Sequence, residues 1–411
     1  MLGDGMVILA DDLTGAADAA VALAGPDGEA LVELRGDAAF LSIDNAAPIV
    51  SLDLHTRGLP EASAARRVIE AGRAAKASGR RLFKKIDSTW RGHIGAELAA
   101  LAEALDPRTL FIVAAAHPDL GRTVVDGKLQ VHGTAVDRPP LRMELEAHGF
   151  VCRQVDGSAS VAEGVAAWRL AATANPAPMA LVCDAVSRPD LQRIVDATWP
   201  LGRQAVLVGS GGLAQAIAAV VGTASSNKDA ADIGLGTVPA VSVADLPAPG
   251  RRLFVVGSHA SIARAQVNAL ASAGGVTVID MTLGELQRAQ DAPVSSATAA
   301  RFDRARSTGD DLVLRPSPDL PIDAAMAPAI AAALARLAAS AIPSATALIV
   351  CGGDTARALF DLLGLQQLRV RPSSEVGTTL AASALLPGLP IALKAGAFGD
   401  AGLLIRLGRD A

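Results

Sequence analysis

The sequence predicts an α/β protein with mainly parallel sheets, and three observations carry that prediction. Apolar runs of strand length alternate with alanine-rich stretches of helical length along the chain. The composition is 51% hydrophobic with 39 glycines, 8 phenylalanines and no tyrosine, which favours helices on a glycine-punctuated sheet over an all-β fold. At 411 residues the chain exceeds one ordinary domain.

The first apolar run is MVILA (6–10), followed by a helix to about Ala24. PIVSLDL (48–54) is next, then RLFKKID (81–87) with a helix from about Gly95 to Leu105. TLFIVAAA (109–116), ALVCDA (180–185) and QAVLVGS (204–210) continue the series, the last leading into the helical GLAQAIAAVV (212–221). Strands separated by helices imply βαβ units, with ligands at the carboxyl ends of the strands. From Thr223 to Gly250 the chain turns small, polar and rich in proline and glycine. Residues 1–223 therefore form a first domain, 224–250 a linker and 251–411 a second domain. The second pattern runs through RLFVVGSHAS (252–261) with a helix to about Ala273, VTVID (276–280) and DLVLRP (311–316). It ends with a long helix from about Pro321 to Ser340, ALIVCGGDT (347–355) opening a helix to Leu363, and PIALKAGAFGD (390–400).

A net charge of -5 and an aromatic content of 3% leave neither an electrostatic footprint nor stacking platforms for nucleic acid. Cys152, Cys183 and Cys351 are odd in number and far apart, which suits reduced thiols rather than a disulfide framework. No metal-ligand spacing occurs among the cysteines and histidines. The N-terminus has no basic region before its apolar run, and the greasiest segment (325–342) is broken by Pro328 and Arg336. A soluble, cytoplasmic protein without membrane partners is expected, with a homo-oligomer open.

Three strand ends in the first half carry polar clusters: ADDLTGA (10–16), LDLHTRG (52–58) and KKIDSTWRG (84–92). Each alone fits a solvated, helix-capping loop. Together they offer Arg57, Lys85 and Arg91 to a carboxylate and Asp11, Asp12 and Asp87 to hydroxyls, the two needs of a small polyhydroxy acid. A fourth strand end leads into TVV-DG-KLQV (123–131), a hairpin signal, with Arg122 as a further cation beside it. His93, His117 and His132 read as structural or edge histidines. In the second half the strand ends are glycine-rich: VVGSHAS (255–261), VCGGDTA (350–356) and LKAGAFGD (393–400). Glycines let backbone amides approach phosphate, the helix near Thr355 points its positive end there, and Lys394 carries a neutralising charge. No GxxxxGK[ST] occurs. GSGGLA (209–214) matches a dinucleotide fingerprint, but the acidic residues at the expected offset fall in the linker.

In order along nearly the whole chain, ADDLTGAAD, KKIDSTWRGHIGAEL, HPDLGRTVVDGKLQVHG, VGSGGLA, VVGSHAS, CGGDTA and KAGAFGD resemble the four-carbon acid sugar kinase family. The resemblance implies an N-terminal acid-sugar domain, a C-terminal nucleotide domain, and ATP-dependent phosphorylation of the terminal hydroxyl of compounds such as threonate, erythronate or 3-oxo-tetronate. Carried over by motif, substrate would meet Asp11 or Asp12, Arg57, the run Lys85, Ile86, Asp87, Ser88, and Arg91. Nucleotide would meet Ser258, the loop Gly352, Gly353, Asp354, Thr355, and Gly396, with Lys394 and Gly399 in the same last block. Mg²⁺ would accompany ATP. The carboxylate that orients or deprotonates the hydroxyl is expected to be Asp87, Asp11 or Asp12, with Asp354 second. The chain departs from the family pattern at Trp90, His93 and His117, near the expected substrate pocket. Two rivals stand beside this reading: an NAD-dependent sugar-acid dehydrogenase, which GSGGLA permits, and a metabolite-binding protein without catalysis.

Overall fold

The computed structural model describes residues 5–26, 28–42, 47–156, 158–171, 177–222, 251–291, 295–320 and 326–409. The chain divides into two units, Met1–Gly234 and Leu235–Ala411, and the expected linker at 224–250 lies outside the described residues.

In the first unit, β1 (Met6–Ala10) is buried along its length and feeds α1 (Leu13–Ala24). There follow β2 (Ala30–Glu33), β3 (Ile49–Asp53), α2 (Glu61–Ala77), β4 (Arg81–Lys85), α3 (Ile94–Ala104) and β5 (Leu110–Ala114). A small antiparallel sheet comes next, made of β6 (Arg122–Val125), β7 (Lys128–Val131) and β8 (Thr134–Ala135). Its first turn has positive φ at both Asp126 (51°) and Gly127 (72°), the backbone a two-residue hairpin requires. The unit is completed by α4 (Leu141–Ala147), β9 (Val151–Val155), α5 (Ser158–Ala171), β10 (Met179–Cys183), α6 (Arg188–Thr198), β11 (Ala205–Gly209) and α7 (Gly211–Gly222).

The large sheet of this unit has the order β2-β3-β1-β4-β11-β5-β10-β9, every pair parallel. Strands β1, β3, β5 and β11 are buried on both faces, which is why they read as unbroken apolar runs rather than alternating ones. The strand order reverses at β1, with β3 on one side and β4 on the other, which makes their carboxyl ends the topological switch point at which α/β sheets bind ligands.

The second unit runs β12 (Leu253–Val256), α8 (Ser261–Ser272), β13 (Val276–Met281), α9 (Leu283–Asp291), α10 (Ser296–Thr308), β14 (Asp311–Pro316) and α11 (Ala327–Ala341). It continues through β15 (Leu348–Cys351), α12 (Gly353–Leu362), β16 (Gln367–Pro372), β17 (Thr378–Ala382), β18 (Ile391–Lys394) and α13 (Leu403–Arg409). Its strand order is β13-β14-β12-β15-β18-β17-β16, parallel from β13 to β18 and antiparallel in the last two pairs. Residues 321–325 of the expected long helix lie outside the described residues. The stretch Ala327–Ser344 is long and apolar enough to span a membrane by composition, but Ile330, Leu334 and Leu337 are buried and α11 packs on α9 and α12. It is a core helix.

Candidate functional site

The first unit gathers its polar clusters where β1, β3 and β4 end. Asp12 caps α1: its Oδ1 accepts from the Gly15 amide (3.0 Å) and its Oδ2 from Thr14 Oγ1 (2.7 Å). The chain leaving β3 is tied to the same turn, because the Thr56 and Arg57 amides donate to the Asp11 carbonyl at 3.1 and 3.3 Å. Arg57 therefore projects across β1. Its Nε donates to Asp11 Oδ2 (2.9 Å), Nη1 to Asp12 Oδ2 (3.0 Å), and Nη2 lies 3.6 Å from Asp87 Oδ1. One arginine thus joins three aspartates from two strand ends.

Beyond β4, Asp87 accepts from the Thr89 amide (3.0 Å), from Thr89 Oγ1, and from Arg91 Nε (2.9 Å) and Nη2 (2.8 Å). Lys85 Nζ donates to the Ile86 carbonyl (2.9 Å) above the first turn of α1, where a Cβ on Gly15 would come within 2.9 Å of it. Ile86 is buried and its amide donates to the Gly209 carbonyl at 2.9 Å. Ser88 accepts a hydrogen bond from Arg122 Nη1. Beneath them Lys84 is fully buried and paired with Glu97 at 2.6 Å.

Electrostatics separates the carboxylates. Burial pushes Asp11 up from its ordinary value and outweighs Arg57. For Asp12 burial acts the same way, but Arg57, Lys85 and the Thr14 hydroxyl prevail and hold it down. Asp87 lies far below the carboxylate range: against burial, the Arg91 hydrogen bonds and the Arg57 charge win. The three aspartates hold Arg57 protonated despite its burial.

Three buried polar atoms here have no hydrogen-bond partner among the described residues: Asp11 Oδ1, Thr56 Oγ1 and Trp90 Nε1. Buried polar atoms are rarely left unpaired, and an acceptor, a hydroxyl and a donor left open together suit the hydroxyls of a ligand. Trp90 also has a φ of 62°, a left-handed conformation rare for a large side chain. His93 is structural, its Nε2 2.7 Å from the Leu59 carbonyl. Among the described residues no group of three or more His, Cys, Asp or Glu is placed to hold a metal.

Two sequence expectations shift in this geometry. Arg57 and Arg91, offered to a substrate carboxylate, are already engaged by carboxylates of the protein. Asp87, offered as a base, has both oxygens occupied and its proton affinity depressed, so it reads as an anchor for Arg91. Thr56 sits inside a motif already singled out, but its side chain is indistinguishable in sequence from an ordinary loop residue, whereas Arg122, read from the sequence as a further cation, donates to Ser88. The GSGGLA glycines serve packing: a Cβ on Gly209 would meet the Ala114 carbonyl at 2.4 Å, and one on Gly212 the Ala116 carbonyl at 2.7 Å. That close approach of α7 to the end of β5 accounts for the motif without a dinucleotide.

In the second unit, β12, β15 and β18 are adjacent, so their three glycine-rich ends meet. The Gly257 amide donates to the Cys351 carbonyl (3.1 Å) and the Gly352 amide to the Lys394 carbonyl (3.0 Å). A Cβ on Gly257 would fall 1.8 Å from Thr355 Oγ1, and one on Gly396 2.2 Å from Ser258 Oγ. Gly352, with φ of 113°, turns the chain into α12 and supplies no side-chain cap to the amides of its first turn. Gly353 opens that turn, Asp354 is exposed on it and Thr355 is buried. These loops form a backbone cradle at a helix N-terminus, the arrangement that binds phosphate. Lys394 is not at the surface: it is fully buried, its Nζ donates to the Ala395 (3.0 Å) and Gly396 (3.2 Å) carbonyls, and burial lowers its pKa. It anchors the loop from beneath. Gly399 (φ 81°) makes the turn before α13, packed on Leu403. Beside Ser258 a cavity of about 120 Å³ is lined by His259, Arg264, Arg315 and Pro318 among others.

Residues 6–217 match the family model of a sugar-binding N-terminal domain, and residues 253–404 that of a nucleotide-binding C-terminal domain. A D-threonate kinase of Cupriavidus necator is 33% identical, covering 96% of this chain and 95% of its own. A D-erythronate kinase of Heliobacterium modesticaldum is 30% identical over 65% of this chain and 60% of its own. A crystal structure of a Haemophilus influenzae protein shares the fold, with a TM-score of 0.68, 19% identity and 98% of each chain covered.

Proposed function

The chain belongs to the four-carbon acid sugar kinase family, and from that membership we propose that it transfers the γ-phosphoryl group of ATP to the terminal (C4) hydroxyl of an acid such as threonate, erythronate or 3-oxo-tetronate. The observation that carries the assignment of roles is Asp11, a buried carboxylate with one oxygen held by Arg57 and the other unpartnered.

In this reading the terminal hydroxyl donates to Asp11 Oδ1 and turns its oxygen toward phosphorus. The new oxygen–phosphorus bond forms as the bond to the β-phosphate oxygen breaks, ADP leaves, and the hydroxyl proton passes to Asp11. Asp11 suits that role better than Asp87 or Asp12, because burial raises its proton affinity while the other two are held down. Thr56 and Trp90 supply the open hydrogen-bonding atoms for the remaining hydroxyls. The phosphates suit the amides of Gly352–Thr355 and the Ser258–Gly396 contact. Most of the rate enhancement then comes from positioning and charge neutralisation. Asp354, exposed in the first turn of α12, is the carboxylate that would hold a Mg²⁺ accompanying the nucleotide, and that ion would supply neutralisation of phosphate charge. Such a reaction belongs in the cytoplasm, where ATP is supplied.

The test is the purified protein with Mg-ATP against D- and L-threonate, D- and L-erythronate and their 3-oxo forms, following ADP release and the phosphorylated carbon by NMR. Phosphorylation of one member at C4 is expected, and no turnover of any member would reject the assignment. Asp11→Asn should lower kcat by about 10²–10⁴-fold while leaving ADP affinity unchanged. A variant that keeps wild-type kcat would remove Asp11 from this role.

A further inference from the structure

We infer that the carboxylate of the acid is received at the N-terminus of α7, between His117 and Arg122, and not by Arg57. The inference rests on the function proposed above and adds the place where the acid end of the substrate docks.

Four observations point there. The first is that Arg57 and Arg91 already neutralise Asp11, Asp12 and Asp87, and a fourth carboxylate on Arg57 would crowd like charges around one guanidinium. Arg122 differs. It is half-buried, its Nη1 donates to the Ser88 hydroxyl, and no carboxylate of the described residues lies within ion-pair distance of it. Asp87 acts on it from beyond that distance but is already shared by Arg57 and Arg91, so Arg122, withdrawn from water, lacks a counter-ion of its own, which is unfavourable unless a ligand provides one.

The second is His117. It is 9% exposed, and its ring has no hydrogen-bond partner among the described residues. It exchanges both backbone hydrogen bonds with Arg122 (2.7 and 3.1 Å) in an antiparallel bridge, which puts the two side chains on one face.

The third is the helix itself. α7 is 12 residues long and begins against the imidazole: a Cβ on Gly211 would lie 3.0 Å from His117 Cε1 and 3.4 Å from Nδ1. In its first turn the Gly212 and Ala214 amides donate to Ser210, while those of Gly211 and Leu213 have no partner among the described residues. Open amides and the positive end of the dipole favour an anion. The charges that face His117 are Lys85, Arg122 and Arg188 against Asp119 alone, and Asp119 is itself bonded to Arg188. The surroundings are net positive.

The fourth is span. α7 follows β11, two strands from β1, whose end leads directly to Asp11, a separation of about 9–10 Å at ordinary strand spacing. A four-carbon acid reaches about 6 Å from carboxylate to terminal hydroxyl, and a hydrogen bond of about 2.8 Å at each end fills the gap.

The experiment compares wild type, His117→Phe and Arg122→Gln with D-threonate and D-erythronate, each beside its neutral primary amide, at saturating Mg-ATP. The wild type should strongly prefer acid over amide. Each variant should raise KM for the acid about tenfold or more, narrow the acid-to-amide ratio by the same factor, and leave KM for ATP unchanged. His117→Asn and a thermal melt of every variant separate this effect from misfolding. An unchanged ratio in folded variants overturns the inference, as does a rise confined to KM for ATP. Wild-type turnover with an unchanged ratio would reject the docking place alone, whereas absence of any acid kinase activity in the wild type would reject the underlying function with it.

Discussion

Asp11 and Asp87 share one arginine and titrate in opposite directions. The difference is in their other partners: Asp87 collects the Arg91 fork and the Thr89 amide and hydroxyl, while Asp11 keeps an oxygen empty in a buried place. His117 shows the same logic for a base. Burial first, then Lys85, Arg122 and Arg188, against Asp119 alone, lower its imidazole from 6.5 to about 4. Between these values the unfolded chain binds a proton that the folded chain refuses. The stability that neutral His117 confers is therefore complete above about pH 6.5 and is lost as the pH falls toward 4. Melting followed from pH 7 to 5 should show a steeper loss for wild type than for His117→Phe, the difference reaching about 2 kcal/mol by pH 5. Parallel curves would show that the histidine is not held neutral by the fold.

At the level of elements, both candidate sites are built where strands end and helices begin. In the first unit those junctions carry side chains, because hydroxyls and a carboxylate are recognised by directed hydrogen bonds. In the second unit they carry glycines, because backbone amides must come close. The packing there leaves no slack, with a Cβ on Gly396 meeting Ser258 Oγ at 2.2 Å. Gly396→Ala should displace Ser258 and weaken ADP binding by about tenfold or more, measured by calorimetry, with KM for the acid little changed. ADP binding at wild-type strength would detach this loop from the nucleotide. The buried Lys84–Glu97 pair links β4 to α3 beneath the acidic cluster, and the charge of Lys84 acts on Asp11 from below.

Across the whole molecule the three thiols are free and held protonated. Cys183 and Cys351 are buried and Cys152 partly so, and burial raises all three, Cys152 to about 12 and Cys351 to about 11. A thiol reagent should therefore react slowly with the native protein and count three thiols after denaturation. Fast native reaction, or fewer than three on unfolding, would contradict that state.

Much of this architecture was legible in the chain. Strands buried on both faces announce themselves as apolar runs, and polar clusters at their ends stand out because each side chain there costs desolvation unless it has a partner. The helices α2 and α6 and the strand β16 did not stand out, since half-exposed segments mix polar and apolar residues and their period is blurred; β17 is buried throughout, but its TTLAA has a single large apolar side chain and does not read as an apolar run. The sequence by itself determined the α/β class, the polar strand ends and the two kinds of junction, because these follow from local pattern. Only the tertiary structure decided how the charges are shared: that Arg57 serves three aspartates, that Asp87 is saturated while Asp11 keeps an open oxygen, that Lys394 lies beneath its loop, and that His117 meets α7. Proton affinity and pairing depend on burial and on neighbours far apart in sequence, and no stretch of chain contains them.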